Sequence, residues 1–257
     1  MKFNFVHNID CIDGMNQMVL DGDKVDCIIT SPPYNTMREV WYDTENSGYQ
    51  DGSMTNDEYC KWTVNIFNLF DKILEKDGKV IYNLNYGAEN PNCMNLAVAD
   101  ILRYTPFSLA DIIIWKKKAA FPANESKNKL TRICELVYIF ARDSELKTFN
   151  SNKKVTSIRK HNGQTMYENI FNEIHAENND GVCSLNKATF STELVTQLLN
   201  IYCKPHEKVL DPFMGTGTTG VACKLRGNPF IGFELSHAQC DYANSRIEGT
   251  KRKSVLF

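Results

Sequence analysis

The sequence lacks the features that mark several specialised classes of protein. Its 257 residues include nine cysteines, but none forms a Cys-x-x-Cys pair, and the odd number argues against a complete disulfide framework. No stretch approaches the roughly 18 apolar residues of a membrane span, and the first residues show no apolar run typical of a signal peptide. We therefore expect a cytoplasmic protein with reduced, buried thiols and no metal site.

The charge of the chain is small overall but unevenly distributed. With 42% hydrophobic and 23% charged residues, the composition is that of a globular protein, which excludes the disordered and fibrous classes. The net charge is only −2, yet residues 116–160 contain twelve basic and four acidic side chains. Such a surplus is expected of a phosphate-facing surface, and a solvated set of lysine-rich loops is the alternative.

Apolar runs and helical spacing alternate along the chain. Strands are predicted at 25–30, 79–84, 109–115, 136–141, 208–210 and 230–233. Helices are predicted at about 55–75, after Pro91, at 192–202, at 218–225 and from about Ser236. This alternation predicts an α/β fold with a mostly parallel, doubly wound sheet and helices on both faces. We predict a single domain in which residues 143–186, which lack sustained periodicity, form an insertion.

A glycine-rich turn follows the predicted strand 208–210. Gly215, Gly217 and Gly220 open the next helix, and Glu234 ends the strand after it. Such a turn lets a ligand approach the backbone, and amides at a helix N-terminus can receive an anion. The letters also fit a nicotinamide-dinucleotide site, but only about 40 residues follow, too few for the remaining strands of that fold. A Walker loop fits less well, because no Gly-Lys-Ser/Thr is present.

A second polar turn, Thr30-Ser31-Pro32-Pro33-Tyr34, follows the predicted strand 25–30. The two prolines fix their φ angles and lack backbone N–H groups, so competing donors are absent. The Ser31 hydroxyl and the Pro32 carbonyl remain as acceptors, and Tyr34 offers an aromatic face. A tight strand exit without function is the alternative.

The two turns together resemble the catalytic and S-adenosylmethionine motifs of the DNA amino-methyltransferases. Their order, with the catalytic segment first, resembles the beta class, and the likeness covers residues 1–35, 78–141 and 186–248. It implies a Rossmann-like methyltransferase fold with a circularly permuted motif order, S-adenosylmethionine as cofactor and double-stranded DNA as partner. A homodimer is usual for the class. The insertion 143–186 would then be a small target-recognition region.

The resemblance also implies the cofactor site. Asp211 and the loop 213–219 would surround the methionine part, and Glu234 would offer two oxygens to the ribose hydroxyls. Asp10 would face the adenine amino group, although it could instead cap a helix that begins near Asp13. The segment 186–194 resembles one that lies near the methionine. The predicted cofactor-binding residues are Asp10, Cys11, Thr30, Phe190, Asp211, Phe213, Gly215, Gly217, Thr218, Thr219 and Glu234.

The implied chemistry is methylation of an exocyclic amine on a base. Such an amine is a poor nucleophile because its lone pair is delocalised into the ring. Acceptors at Ser31 and Pro32 would bind its protons and align the nitrogen with the sulfonium methyl for direct displacement. Tyr34 would stack on the flipped base. The predicted catalytic residues are Ser31, Pro32, Pro33 and Tyr34.

The target base and the DNA contacts are less fixed by the sequence. In the family, serine at position 31 is typical of cytosine N4 enzymes, whereas Asn35 is commoner among adenine N6 enzymes. We favour cytosine N4, with adenine N6 as the alternative; an inactive DNA-binding relative and a nicotinamide-dependent oxidoreductase rank lower. Phosphate contacts would supply affinity without sequence information. The predicted DNA-binding residues are Lys116, Lys117, Lys118, Arg159 and Lys160.

Overall fold

The structure is a computed structural model of the whole chain. It describes residues 1–35, 40–41, 50–51, 54–84, 90–119, 127–128, 130–149, 151–181, 185–186 and 189–251. The structural statements below concern these residues.

Eight strands form the central sheet. They are β1 (Phe5–Asn8), β2 (Val25–Thr30), β5 (Leu74–Leu84), β6 (Phe107–Lys117), β7 (Cys134–Arg142), β10 (Glu173–Ala176), β11 (Val209–Asp211) and β12 (Phe230–Glu234). Their order is β1-β12-β11-β2-β5-β7-β6-β10. Only β7 runs antiparallel to its two neighbours. Two short ribbons pair β3 (Val40–Trp41) with β4 (Gln50–Asp51) and β8 (Val155–Ile158) with β9 (Thr165–Tyr167).

Six helices accompany the sheet in the described residues. They are α1 (Cys11–Asp21), α2 (Asn56–Ile73), α3 (Pro91–Tyr104), α4 (Thr192–Tyr202), α5 (Thr218–Arg226) and α6 (His237–Gly249). Local capping explains several of their starts. Asp10 caps α1, Ser191 caps α4, Ser236 caps α6, and Thr55 with Glu58 forms a capping box at α2.

Apolar side chains fill both faces of the sheet. One core packs α1, α2 and α3 against it, and Phe67 of α2 meets Tyr82, Phe107 and Phe140 at ring-centroid distances of 5.2, 5.6 and 5.2 Å. The other core packs α4, α5 and α6 against the opposite face. Strands covered on both sides read as continuous apolar runs, which is why the sequence pattern found them. The predicted doubly wound α/β fold is confirmed.

The segment 143–186 contains more regular structure than the sequence pattern indicates. It forms β8 and β9, and its last strand, β10, extends the central sheet by pairing in parallel with β6. Whether this segment acts as a separate insertion stays a prediction. Across the described ranges, no helix is long and apolar enough to cross a membrane, and no cluster of His, Cys, Asp and Glu suited to a metal ion is found.

Candidate active site

The two turns singled out in the sequence lie side by side at one edge of the sheet. β2 and β11 are parallel neighbours, with Leu210 opposite Ile28, so Ser31 and the glycine turn both follow the carboxyl ends of adjacent strands. Glu234 ends β12, the next strand in the sheet. In open α/β sheets, ligands bind at this edge.

A buried carboxylate joins the two turns. Asp211 Oδ1 accepts hydrogen bonds from Thr30 Oγ1 at 2.6 Å and from Phe213 N at 3.0 Å, and its Oδ2 accepts from Thr219 Oγ1 at 2.6 Å. The residue is 1% exposed. Burial raises the pKa of Asp211 to about 6, although these hydrogen bonds oppose the rise. Asp211 therefore fixes the shape of the cofactor turn and ties it to β2.

The glycine turn adopts a backbone conformation that favours glycine. Gly215 and Gly217 have φ angles of 52° and 87°, in the left-handed region that other residues rarely occupy. A Cβ at Gly217 would lie 3.0 Å from Cα of Ala243. Gly217 precedes α5, which has no side-chain cap. The first amides of α5 are therefore available to an anionic group.

Glu234 lies beside this turn and already accepts two backbone hydrogen bonds. Its Oε2 accepts from Gly215 N at 2.8 Å and its Oε1 from Ser236 N at 2.9 Å. Burial raises the pKa of Glu234 despite these bonds. Each carboxylate oxygen has a second lone pair, so the residue retains capacity for ligand hydroxyls.

Asp10 and Cys11 lie where β1 meets α1. Oδ1 of Asp10 accepts from Ile12 N at 2.8 Å, which is the geometry expected if Asp10 caps the helix. A contact of Asp10 with adenine stays a prediction. The Cys11 side chain is 6% exposed and packs in the core. The thiol is therefore a core group, and a contact between Cys11 and the cofactor stays a prediction.

The segment before α4 lies against the glycine turn. Asn186 Nδ2 donates to Gln239 Oε1 at 3.1 Å, and a Cβ at Gly215 would come 3.7 Å from the same nitrogen. Phe190 is 8% exposed in the core below. Residues 187 and 188 lie outside the described residues.

Two residues outside the turn, Trp62 and Arg246, stabilise it. Phe213 packs against Trp62 of α2, with ring centroids 5.5 Å apart. Arg246 of α6 donates to the Thr216 carbonyl at 3.0 Å and to Thr218 Oγ1 at 3.2 Å. The turn is thus bounded by apolar surface, free helix amides and the Glu234 carboxylate. This donor and acceptor set fits S-adenosylmethionine, which combines an amino-acid carboxylate with ribose hydroxyls and an aromatic base.

The catalytic turn lies in a compact polar network. Ser31 Oγ and Tyr34 Oη are 2.7 Å apart. Asn83 Nδ2, at the end of β5, is 3.0 Å from Tyr34 Oη, 3.4 Å from Ser31 Oγ and 2.8 Å from Glu135 Oε2. Lys117 Nζ forms an ion pair with Glu135 Oε1. Because β7 is antiparallel, its second residue, Glu135, lies at the same edge as the carboxyl ends of the other strands.

The neighbouring helices anchor the backbone of this turn. The Pro33 carbonyl accepts from Tyr59 Oη of α2 at 2.9 Å, and Pro32 is buried. Asn35 is 4% exposed and donates through Nδ2 to the Met54 carbonyl at 2.8 Å. Burial, followed by the nearby Glu135 charge, raises the pKa of Tyr34. The Tyr34 hydroxyl therefore remains protonated at neutral pH.

The predicted DNA-binding residues fall into two groups. Lys116 and Lys118 face acidic partners, with Lys118 Nζ 2.7 Å from Glu177 Oε1 and Lys116 Nζ 3.8 Å from Glu173 Oε1. Lys117 forms an ion pair with Glu135 in the catalytic network, and a contact of its ammonium with DNA phosphate stays a prediction. Arg159 and Lys160 lie in the exposed turn between β8 and β9.

Two residues of the network were missed at the sequence level. Asn83 and Glu135 are 4% and 6% exposed, each inside a strand that is otherwise apolar. A polar residue near the end of an apolar strand is the available signal, because buried polar groups need a specific partner. The sequence does not identify those partners.

Fold and site together define a class of protein. A mostly parallel α/β sheet presents an uncapped glycine turn beside a Ser-Pro-Pro-Tyr turn, which is the arrangement of an S-adenosylmethionine-dependent methyltransferase with permuted motifs.

Comparison with known proteins agrees with this class. The N6/N4 methyltransferase family model, described as "DNA methylase", matches residues 25–245. The chain therefore belongs to this family and is an S-adenosylmethionine-dependent DNA amino-methyltransferase.

Individual relatives are similar over most of their length. The type II methyltransferase M.Cfr9I of Citrobacter freundii is 28% identical, over 90% of this chain and 83% of the relative. The orphan methyltransferase M.BamHII of Bacillus amyloliquefaciens is 25% identical, over 87% and 89%.

Two solved structures show the fold. The crystal structure of M1.HpyAVI matches with a TM-score of 0.63 at 22% identity, covering 95% of this chain and 98% of that one. The cytosine-N4-specific PvuII DNA methyltransferase matches with a TM-score of 0.65 at 16% identity, covering 96% and 95%. The predicted Rossmann-like methyltransferase fold is confirmed.

Proposed function

We propose that the protein methylates the exocyclic N4 amine of cytosine in double-stranded DNA after the base has been flipped out of the helix. The observation that carries this proposal is the Ser31 hydroxyl, held 2.7 Å from Tyr34 Oη at the catalytic turn. By the resemblance stated above, a hydroxyl at this position is typical of cytosine N4 enzymes.

The environment of Asn35 supports the same choice. Asn35 was the one feature of the turn that favoured adenine, yet it is buried and anchors neighbouring backbone. Its Nδ2 donates to the Met54 carbonyl, and the backbone carbonyl of Asn35 accepts from Asn90 Nδ2 at 2.9 Å. These contacts give the side-chain nitrogen and the backbone carbonyl of Asn35 a structural role, while its buried Oδ1 has no hydrogen-bond partner among the described residues.

The catalytic step follows from the position of these groups. When bound, S-adenosylmethionine supplies an electrophilic methyl group on its sulfonium. Ser31 Oγ and the Pro32 carbonyl accept hydrogen bonds from the two amine N–H groups, which localises the nitrogen lone pair and aims it at the methyl carbon. The new N–C bond replaces the S–C bond of the cofactor, and the methylated nitrogen releases one proton to solvent. Tyr34 stacks on the flipped ring. No residue of the protein forms a covalent bond in this scheme.

Roles in the cofactor site follow the geometry of the glycine turn. We assign the loop 213–219 and the first amides of α5 to the methionine part, and Glu234 to the ribose hydroxyls. Asp211, whose two oxygens are already hydrogen-bonded, holds this loop in position. Thr30 and Thr219 hold Asp211 by donating hydrogen bonds to it.

The β8–β9 ribbon is our proposed recognition element within residues 143–186. All of β8 and the last residue of β9 are exposed, and the turn between them presents Arg159, Lys160, His161 and Asn162. The major groove of DNA admits a two-stranded ribbon. Lys116 and Lys118 remain proposed phosphate contacts, and a cytoplasmic homodimer remains the expected form of the enzyme.

Nucleoside mass spectrometry of DNA methylated by the purified protein tests the assignment. We expect N4-methylcytosine; finding only N6-methyladenine would replace cytosine with adenine. A tritiated-methyl assay that shows no incorporation into any DNA would instead indicate an inactive relative. Calorimetry with S-adenosylmethionine and with a nicotinamide dinucleotide checks the cofactor independently.

A further inference from the structure

The carboxylate of Glu135 lies behind the catalytic turn and contacts it through one intermediary. Asn83 Nδ2 is 2.8 Å from Glu135 Oε2 and 3.0 Å from Tyr34 Oη, whereas Tyr34 Oη is 3.5 Å from the same carboxylate oxygen. The direct contact is at the distance limit and therefore weak. The short path from Glu135 to Ser31 passes through Asn83 and Tyr34.

The ion pair fixes which way the Asn83 amide faces. A carboxylate only accepts hydrogen bonds, so Glu135 selects the Nδ2 side of the amide. Lys117 bonds the other carboxylate oxygen and also lies 4.8 Å from the centroid of the Trp115 ring. The Glu135 side chain is 8% exposed and that of Lys117 is 20% exposed. Each charge is thus compensated by the other in a largely dry site.

The orientation of the Asn83 amide leaves its own oxygen without a hydrogen bond. Among the described residues, its buried Oδ1 has no hydrogen-bond partner. An unsatisfied buried acceptor is uncommon in folded proteins and often marks a functional site. Its two N–H groups are taken up by the shorter contacts to Glu135 and Tyr34, and its contact with Ser31 Oγ is longer, at 3.4 Å.

Resting on the methyltransferase function proposed above, we propose that Glu135 and Lys117 are positioning residues that set the direction of the Ser31 hydroxyl. Asn83, oriented by Glu135, donates to Tyr34 Oη. Tyr34 then donates to Ser31 Oγ. One lone pair and the hydroxyl proton of Ser31 are left for the base. The lone pair accepts from the exocyclic amine, and the proton is donated to the adjacent ring nitrogen.

The Ser31 hydroxyl is thereby matched to the edge of the target base. The exocyclic amine is a donor and its neighbouring ring nitrogen is an acceptor, in cytosine and in adenine alike. A freely rotating hydroxyl would present this pair of groups only part of the time. The network is therefore expected to act on the rate of methyl transfer rather than on the affinity for either substrate.

Glu135→Gln tests the proposal, with Glu207→Gln as its matched control. Glu207 pairs with Lys79, a fully buried lysine on β5, at 3.1 Å, but it lies at the other edge of the sheet. We expect Glu135→Gln to lower kcat roughly tenfold to a hundredfold, the range for a misplaced reacting group. KM for DNA and the Kd for S-adenosylmethionine should change less than about twofold, as expected for an interaction made only in the transition state. Glu207→Gln should leave kcat near the wild-type value.

Variants of Lys117 provide a second measurement if Glu135→Gln does not fold. Lys117→Arg retains the charge and should keep kcat within a few-fold, whereas Lys117→Met should lower it with unchanged substrate affinities. Unchanged kcat in Glu135→Gln or in Lys117→Met, or an equal loss in Glu207→Gln, would overturn the proposal. A wild-type protein that methylates no DNA would instead overturn the proposed function, which separates the two failures.

Discussion

Tyr34 shows how one residue can serve the site with two different groups. Its ring is only partly buried, and its hydroxyl contacts Ser31 and Asn83. The sequence predicts the ring as a stacking surface but does not reveal the role of the hydroxyl. The two contributions can be separated by substitution.

We expect Tyr34→Ala to weaken the binding of target DNA by about 1–3 kcal/mol, the usual contribution of one stacked base. Tyr34→Phe should preserve that affinity but lower kcat, because it removes the bonds to Ser31 and Asn83. DNA titration and single-turnover kinetics measure the two effects. Calorimetry with S-adenosylmethionine is the control, and a similar loss of cofactor binding in both variants would mean that Tyr34 supports the fold instead.

Individual residues of the site differ in how well the sequence identifies them. The turn residues at 30–34 and 211–219 form contiguous segments, so their resemblance to the family's motifs is visible in the sequence. Asn83 and Glu135 lie 52 positions apart in the chain, and they meet only because β5 and β7 are antiparallel neighbours. Their pairing is a product of sheet order, which hydrophobic periodicity does not encode.

At the scale of the element, the sequence predicts the bounds of a helix well where the helix has both a buried apolar face and a capping residue. The helical spacing predicts a helix at 192–202, and α4 has those bounds, with Ser191 as its cap. The capping box at Thr55 likewise fixes the start of α2. The ribbon of β8 and β9 escaped prediction because β8 buries none of its residues, so no alternation was available.

The exposed ribbon yields a prediction about DNA affinity. Replacing Arg159 and Lys160 with glutamine should lower DNA affinity and reduce the salt dependence of log K by about one per lost phosphate contact. Binding titrations over a range of salt concentrations measure this slope. Lys61→Gln with Lys72→Gln, on the exposed face of α2, forms the charge-matched control. An unchanged slope in the ribbon variant would place the DNA elsewhere.

At the scale of the whole molecule, both cores depend on strands drawn from distant parts of the chain. β2 lies between β5 and β11, and the bond from Thr30 to Asp211 spans 181 positions. The stability of the fold and the shape of the cofactor turn are therefore coupled through one buried carboxylate. Its protonation should be visible in global unfolding.

The raised pKa of Asp211 determines whether stability rises or falls with pH. Its folded value of about 6 lies above the reference value of 3.8. The unfolded chain therefore loses this proton first, and the contribution to stability falls as pH rises from about 4 to about 6. The Asp211→Asn variant should lack this component, so that its stability relative to wild type rises by roughly 2–3 kcal/mol across the window. Urea unfolding of both proteins at several pH values measures the difference, and parallel pH profiles would contradict it.

The seam between β2 and β11 also has a consequence for biosynthesis. The ribosome releases β2 and the catalytic turn long before β11 and β12 are made, so one edge of β2, which lies in the middle of the sheet, stays unpaired during translation. Open strand edges on incomplete chains favour aggregation, and distant pairings form slowly. Nascent chains that lack β11 are therefore expected to need chaperone protection, and the cofactor turn can close only in the last phase of folding.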